Sequence, residues 1–163
     1  ADNVTFTVGG LTAEVLETPG HTPGCVTFVF AGAAFVGDTL FMPDYGTART
    51  DFPGGDARTQ YQSIQRIFSL PPETTLYLCH DYGSETRPKF CGETTVAEER
   101  EHNILVHDGI DEQTYVEDRE RRDANLAAPK LLLPSVQFNM RGGELPPAED
   151  NGVHYFKIPV KAQ

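Results

Sequence analysis

Two short segments, one rich in glycine and proline and the other opened by a glycine, constrain this chain more than anything else in it. The first is Thr18-Pro19-Gly20-His21-Thr22-Pro23-Gly24, and the second is Gly37-Asp38-Thr39-Leu40-Phe41. The two prolines leave the first segment few conformations, so the His21 side chain it carries is aimed rather than free. Between the two lies a hairpin pattern. Cys25 to Phe30 reads as a strand, Ala31-Gly32 as the turn and Ala33 to Val36 as the return strand. A hairpin brings its open ends together, which places His21 and Asp38 at one end of a sheet. Two ligands of one metal ion are placed in this way, yet two ligands do not complete a metal site.

The rest of the chain supplies more strands and the helices to cover them. Val4 to Val8, the Gly9-Gly10 turn and Thr12 to Glu17 read as a further hairpin. Asp56 is a good N-cap for a helix to about Ser69, with Tyr61, Ile64, Ile67 and Phe68 on one face. Pro71-Pro72 stops it. Thr75 to Cys79 is a short apolar strand, with His80-Asp81-Tyr82 at its end and a polar loop running on through Gly92. Thr95 and Glu98 form a capping box for a second helix, and Asp111 caps a third that reaches about Ala127. A tail follows from about residue 130, with a last strand near Tyr155–Val160. Strands first and helices interspersed point to a mixed α/β fold.

Composition narrows the function. A length of 163 residues suits one domain with a real core. A net charge of −11 argues against nucleic acid and against an anionic membrane surface, both of which need a basic face. No apolar run is long enough to cross a bilayer. The cysteines, Cys25, Cys79 and Cys91, are odd in number and irregular in spacing, so a reducing, cytoplasmic compartment is expected. Cys25 and Cys79 read as small buried hydrophobes in strands, and Cys91 as the exposed thiol.

Asp38 ends an apolar strand, where a charge has no evident structural task except a turn cap. His80 ends another. With His21 they make three strand ends, each bearing a metal-binding side chain. His102, His107 and His154 lack that setting and read as surface or packing residues. Arg49, on the loop after Asp38, can meet an anionic substrate with its fork, or fix the loop by pairing with Asp51. Tyr82 can present a phenol to the same cavity, and Asp81 can orient a histidine.

The ordered set Gly20-His21-Thr22-Pro23-Gly24, Gly37-Asp38-Thr39-Leu40, Arg49-Thr50-Asp51-Phe52 and Cys79-His80-Asp81-Tyr82 resembles the metallo-β-lactamase superfamily. Within it the chain looks like the persulfide (sulfur) dioxygenases, and its tail like the bacterial β-lactamase-hydrolase-like branch. Thr94-Thr95-Val96 with Glu98-Glu99-Arg100, and Asn139-Met140-Arg141, resemble the same group. The superfamily's His-x-His-x-Asp-His signature does not occur here, so the resemblance implies the second half of an αββα sandwich. It implies that His21 and Asp38 are two of three protein ligands of one Fe(II), the third lying on a segment outside this chain. His80 would join them only where a second metal is bound. It implies a substrate, glutathione persulfide, oxidised by O2 to sulfite, with Arg49 and Tyr82 as substrate-binding residues. Two departures touch the thiol carrier. Thr47-Ala48 stands where the dioxygenases commonly have Cys-Gly, and Asn103-Ile104-Leu105 where they often have Asn-Pro-Arg.

Two other readings compete. One is a dinuclear Zn2+ thioester hydrolase of the glyoxalase II type, with Asp38 as bridge and His80 as a true ligand. The other is an inactive half-domain. A half-sandwich exposes the inner face of its sheet, so an N-terminal segment bound as a separate polypeptide is expected to cover it, and a homo-oligomer is the expected assembly.

Overall fold

The computed structural model describes residues 2–159. They fall into two compact units, Ala1–Asn125 and Leu126–Gln163. The first holds a six-stranded sheet whose order follows the chain: β1 (Val4–Val8), β2 (Leu11–Glu17), β3 (Val26–Phe30), β4 (Ala33–Phe35), β5 (Thr75–Tyr77) and β6 (Glu93–Thr95). Neighbours are antiparallel except β4 and β5, which run parallel. A parallel step needs a crossover, and α1 (Ala57–Phe68) supplies it. The expected cap is present: Asp56 accepts the backbone N–H of Thr59 at 2.7 Å. Helices α2 (Val96–His102) and α3 (Glu112–Asp123) follow, capped by Thr95 and Asp111.

The pleat divides the sheet into two unlike faces. Leu16, Thr27, Ala34 and Leu76 point to the buried side, where Ala34 and Leu76 join Ile64, Ile67, Phe68, Val96, Val106 and Tyr115 in one apolar cluster. The register carries Val4, Phe6, Val8, Leu11, Val15, Phe28, Phe35 and Tyr77 to the opposite side. Phe6 meets Phe28 edge-on at 5.7 Å, and Phe35 stacks on Tyr77 at 5.0 Å. Yet Val4, Phe6, Val8, Leu11, Phe28, Phe35 and Tyr77 are all exposed. On β1 and β2 the polar residues Thr5, Thr7, Thr12 and Glu14 take the other face, so the alternation itself marks the bare face as an interior one.

The second unit contains α4 (Leu132–Asn139), none of whose residues is buried. The sequence pattern missed this helix because Pro134 reads as a breaker. It stands in the first turn, where its missing N–H has no partner to lose. Other expectations are corrected. Residues 155–159 form no strand, the nearest pairing being an isolated bridge between Ala148 and His154, and Val160 lies outside the described residues. Helix α3 stops at Asp123 rather than near Ala127, and Glu93–Thr95 is a strand to which the sequence pattern assigned no element. Strand β5 stops at Tyr77, so Cys79 lies beyond the sheet and is exposed, while Cys25 and Cys91 are half-buried.

One buried charge stands out. The Glu99 side chain on α2 is fully buried, and its Oε2 accepts from Asn103 Nδ2 at 2.6 Å. Its Oε1 has no hydrogen-bond partner. Burial pushes this carboxyl up to about 8, against the pull of Asn103, with Asp44 and Glu98 adding to the rise. A carboxyl raised above its unfolded value stabilises the fold fully below that value, near 4.5, and the contribution is lost as pH rises to 8 and beyond. Glu99→Gln mimics the protonated form. Urea unfolding at pH 5 and pH 9 is expected to show the wild type losing about 2 kcal/mol or more relative to the variant over that interval. Parallel pH profiles would refute the assignment.

Candidate metal centre

Strands β2, β4 and β5 run in one direction, so their C-terminal ends share one edge of the sheet. His21 lies four residues past β2, and Asp38 and His80 three residues past β4 and β5. The hairpin expectation therefore holds as geometry: the three side chains stand at one end.

The His21 loop is clamped from beneath. Ser63 donates its hydroxyl to the Pro19 carbonyl at 2.6 Å, and the Asp56 N–H donates to the Gly20 carbonyl at 2.8 Å. Gly20 sits at φ +139°, and a Cβ there would lie 2.4 Å from the Gln60 backbone. Only glycine lets the loop lie this close to α1. Above the ring, Phe52 packs edge-on with centroids 5.3 Å apart. His21 Nδ1 is 2.7 Å from the Arg49 carbonyl oxygen. A carbonyl can only accept, so Nδ1 carries the proton and Nε2 of the neutral ring presents a lone pair.

Asp38 faces a different setting. Its Oδ1 is buried without a hydrogen-bond partner, although His80 Nε2 lies 3.3 Å away. That separation is an ion-pair approach without hydrogen-bond geometry. A buried carboxylate oxygen with no donor is costly, and a cation resolves the cost. Around His80 runs an aromatic wall. Phe41 meets Tyr82 edge-on at 5.4 Å, Tyr82 stacks on Tyr45 at 4.7 Å, and the Tyr82 and His80 rings are 5.8 Å apart. Burial, then Tyr45 and Asp38, push the Tyr82 phenol up, and burial, then Asp38 and Cys25, do the same for the Cys79 thiol.

The donor chemistry fits part of a metal centre: one imidazole with a fixed tautomer and one unsatisfied carboxylate oxygen. Among the described residues, no group of three or more His, Cys, Asp and Glu side chains could hold a metal ion. Asp38 and His80 are in contact, and His21 shares their end of the sheet without joining them in such a group.

Arg49 forms the loop-fixing pair. Its Nε and Nη2 meet the two Asp51 oxygens at 2.5 and 2.6 Å, and its guanidinium lies 4.9 Å from the Phe52 ring centre. Asp81 orients no histidine. It accepts two hydrogen bonds from Arg87, one from the Gly83 N–H and one from the Cys91 N–H. These donors, Arg87 foremost, hold its carboxyl far below the usual range. Arg87 also reaches Asp44, so two loops beside Tyr45 and Tyr82 are tied by one guanidinium. Sequence reading missed this bridge, because no spacing rule links residues 44, 81 and 87. It also missed Phe41 and Tyr45, whose only signal was an aromatic pair just after Asp38.

The family model described as the metallo-β-lactamase superfamily matches residues 1–80. A probable metallo-hydrolase of Burkholderia pseudomallei is 52% identical over 171 residues, covering 99% of this chain and 58% of its own. Glyoxylase B2 of Dictyostelium discoideum is 49% identical over 160 residues, covering 98% and 54%. The mitochondrial persulfide dioxygenase of Mus musculus is 38% identical over 151 residues, covering 90% and 54%. The crystal structure of ETHE1 from Myxococcus xanthus matches with a TM-score of 0.77 at 35% identity, over 88% of this chain and 60% of that one. The chain thus spans little more than half the length of these three curated relatives.

Gly20→Ala is expected to lift the His21 loop from α1 and cost about 2 kcal/mol or more, since it adds both a clash and a strained φ. Thermal unfolding reads the loss, and an unchanged Tm would show that the close approach is not structural.

Proposed function

The chain belongs to the metallo-β-lactamase superfamily, and on that premise we propose that it supplies two ligands of a mononuclear iron centre in a persulfide dioxygenase. The observation that carries this reading is a tautomer-fixed His21 at the same end of the sheet as a buried Asp38 Oδ1 that has no hydrogen-bond partner. One nitrogen and one carboxylate oxygen, joined by a second histidine, make the facial set that suits non-haem Fe(II). The named persulfide dioxygenase relative, similar over 90% of the chain, supports it. Iron bound there would pass electrons from sulfur to O2. The balance is a four-electron one: a glutathione persulfide, O2 and water give glutathione, sulfite and two protons. The chain's own part is to hold the donors and to wall the site with Phe41, Tyr45 and Tyr82. Arg49 would receive a substrate carboxylate by exchanging it for Asp51.

The bare apolar face belongs to the same proposal. We propose that the part of its relatives' length that this chain does not span supplies both the layer that covers this face and the third ligand. Val4, Phe6, Leu11, Phe28 and Phe35 form a contiguous patch with the alternation of a sandwich interior.

A second reading rests on the 3.3 Å approach of His80 to Asp38. A carboxylate between two histidines can bridge two zinc ions, as a thioester hydrolase requires, and the glyoxylase relative is in keeping with it.

Oxygen uptake with glutathione persulfide separates the readings. The expected result is about one iron per completed site, with uptake lost in His21→Ala and Asp38→Ala, and iron retained in His80→Ala. Paired zinc, no uptake, and hydrolysis of S-D-lactoylglutathione would favour the hydrolase. For the face, an apolar dye should bind the isolated chain strongly and lose its signal once the covering half is present. A dye-silent isolated chain would count against a covering layer.

A further inference from the structure

Helix α3 begins more than ninety residues after His21 and carries no donor of the metal centre. Even so, three of its side chains, Tyr115, Arg119 and Asp123, stand four residues apart on one face and are buried to within 5% of complete. All three reach the loop at residues 47–50. The Tyr115 hydroxyl donates to Gln60 Oε1 at 2.6 Å and takes the Thr47 hydroxyl at 2.9 Å. Arg119 Nη1 donates to the Thr47 carbonyl at 2.9 Å. Asp123 Oδ2 accepts the Thr50 N–H at 2.8 Å and the Thr50 hydroxyl at 3.0 Å, while its Oδ1 is held by Arg119 Nε and Nη2.

The Thr50 N–H and the Arg49 carbonyl belong to one peptide unit. In a planar trans peptide these two groups point in opposite directions. On one side the unit gives its N–H to the Asp123 carboxylate, and on the other its oxygen takes the proton of His21 Nδ1. We propose that Asp123 is a positioning residue for the metal centre, which orients the His21 imidazole through the single peptide plane of Arg49 and Thr50. Fixing the N–H fixes the rotation of the plane, and so the direction of the carbonyl that selects the ring tautomer. The carboxylate also polarises the peptide, which makes that carbonyl a better acceptor for the His21 Nδ1–H. Arg119 holds Asp123 Oδ1 with two hydrogen bonds and pins the Thr47 end of the loop. The carboxylate–imidazole pairing common around metal ligands is thereby stretched across one peptide bond.

This inference rests on the reading of His21 as a metal ligand, but not on the identity of the reaction. The test uses the full-length protein with zinc or ferrous iron alone, competed against a chelator. Asp123→Ala is expected to weaken metal binding about 10- to 100-fold, the usual effect of losing an outer hydrogen bond to a ligand. It should also shift the His21 Nδ1–H resonance of 15N-histidine-labelled protein. Asp123→Asn keeps one acceptor oxygen, enough for Thr50 but with its NH2 set against Arg119, and is expected to recover part of the affinity; it serves where the alanine variant does not fold. Ile67→Ala, a core truncation in α1, is the control for stability alone: it should lower Tm without moving the resonance or the metal constant. Metal binding by Asp123→Ala within twofold of wild type, or an equal loss in Ile67→Ala, would overturn the proposal. A wild type that binds metal yet consumes no oxygen with persulfide would sink the dioxygenase reading and leave this one to the Asp123→Ala constant.

Discussion

The parallel pairing of β4 with β5 governs where chemistry can occur in this chain. Ala33, Ala34 and Phe35 lie beside Thr75, Leu76 and Tyr77, and the next residues of both strands leave the sheet at the same edge. Loops beyond the carboxyl ends of parallel strands are where open α/β sheets place their ligands. Parallel pairing in turn demands a crossover, and the crossover helix has two tasks. Ile64, Ile67 and Phe68 cover the sheet, while Asp56, Gln60 and Ser63 support the loop that carries His21. A single helix thus ties the core to the donors, which is why the glycine against Gln60 matters as much as the histidine beside it.

Much of this was legible from sequence, where local chemistry decides structure. The strands up to β4, the caps at Asp56, Thr95 and Asp111, and the apolar face of α1 follow from turn residues and periodicity. The likeness to the metallo-β-lactamase superfamily was also readable, because its motifs are short and ordered. What escaped was long-range. Arg119 and Asp123 look like two charges on a solvated helix, and only the fold shows that they are buried against residues 47–50. Asp81 reads as a neighbour of His80, but the chain turns so that it faces Arg87. Cys79 reads as the end of a buried strand, and the strand ends two residues sooner.

Such buried and half-buried charges are weak evidence for stability, because desolvation offsets much of the attraction within each pair. Their value here is geometric. Arg87 joins the loops at Asp44 and Asp81, and Arg119 with Asp123 joins α3 to the loop before Asp51. Each pair fixes a segment that has no regular backbone pairing of its own. Apolar packing would hold such loops near the sheet, whereas directional hydrogen bonds hold a chosen carbonyl or N–H within reach of a ligand.

The bare apolar face and the incomplete donor set pose one problem with one solution. Burying Val4, Phe6, Leu11, Phe28 and Phe35 supplies non-directional attraction that grows with area, but it selects no register. On the proposed reading, a metal ion shared between His21, Asp38 and a ligand on the covering layer would supply the converse: few contacts, strict geometry. By linkage, each must strengthen the other, since an ion that binds only the covered state stabilises the cover, and the cover raises affinity for the ion by the same factor. On the proposed reading, the aromatic content of this face is therefore part of the metal site, even though none of those side chains can touch the metal.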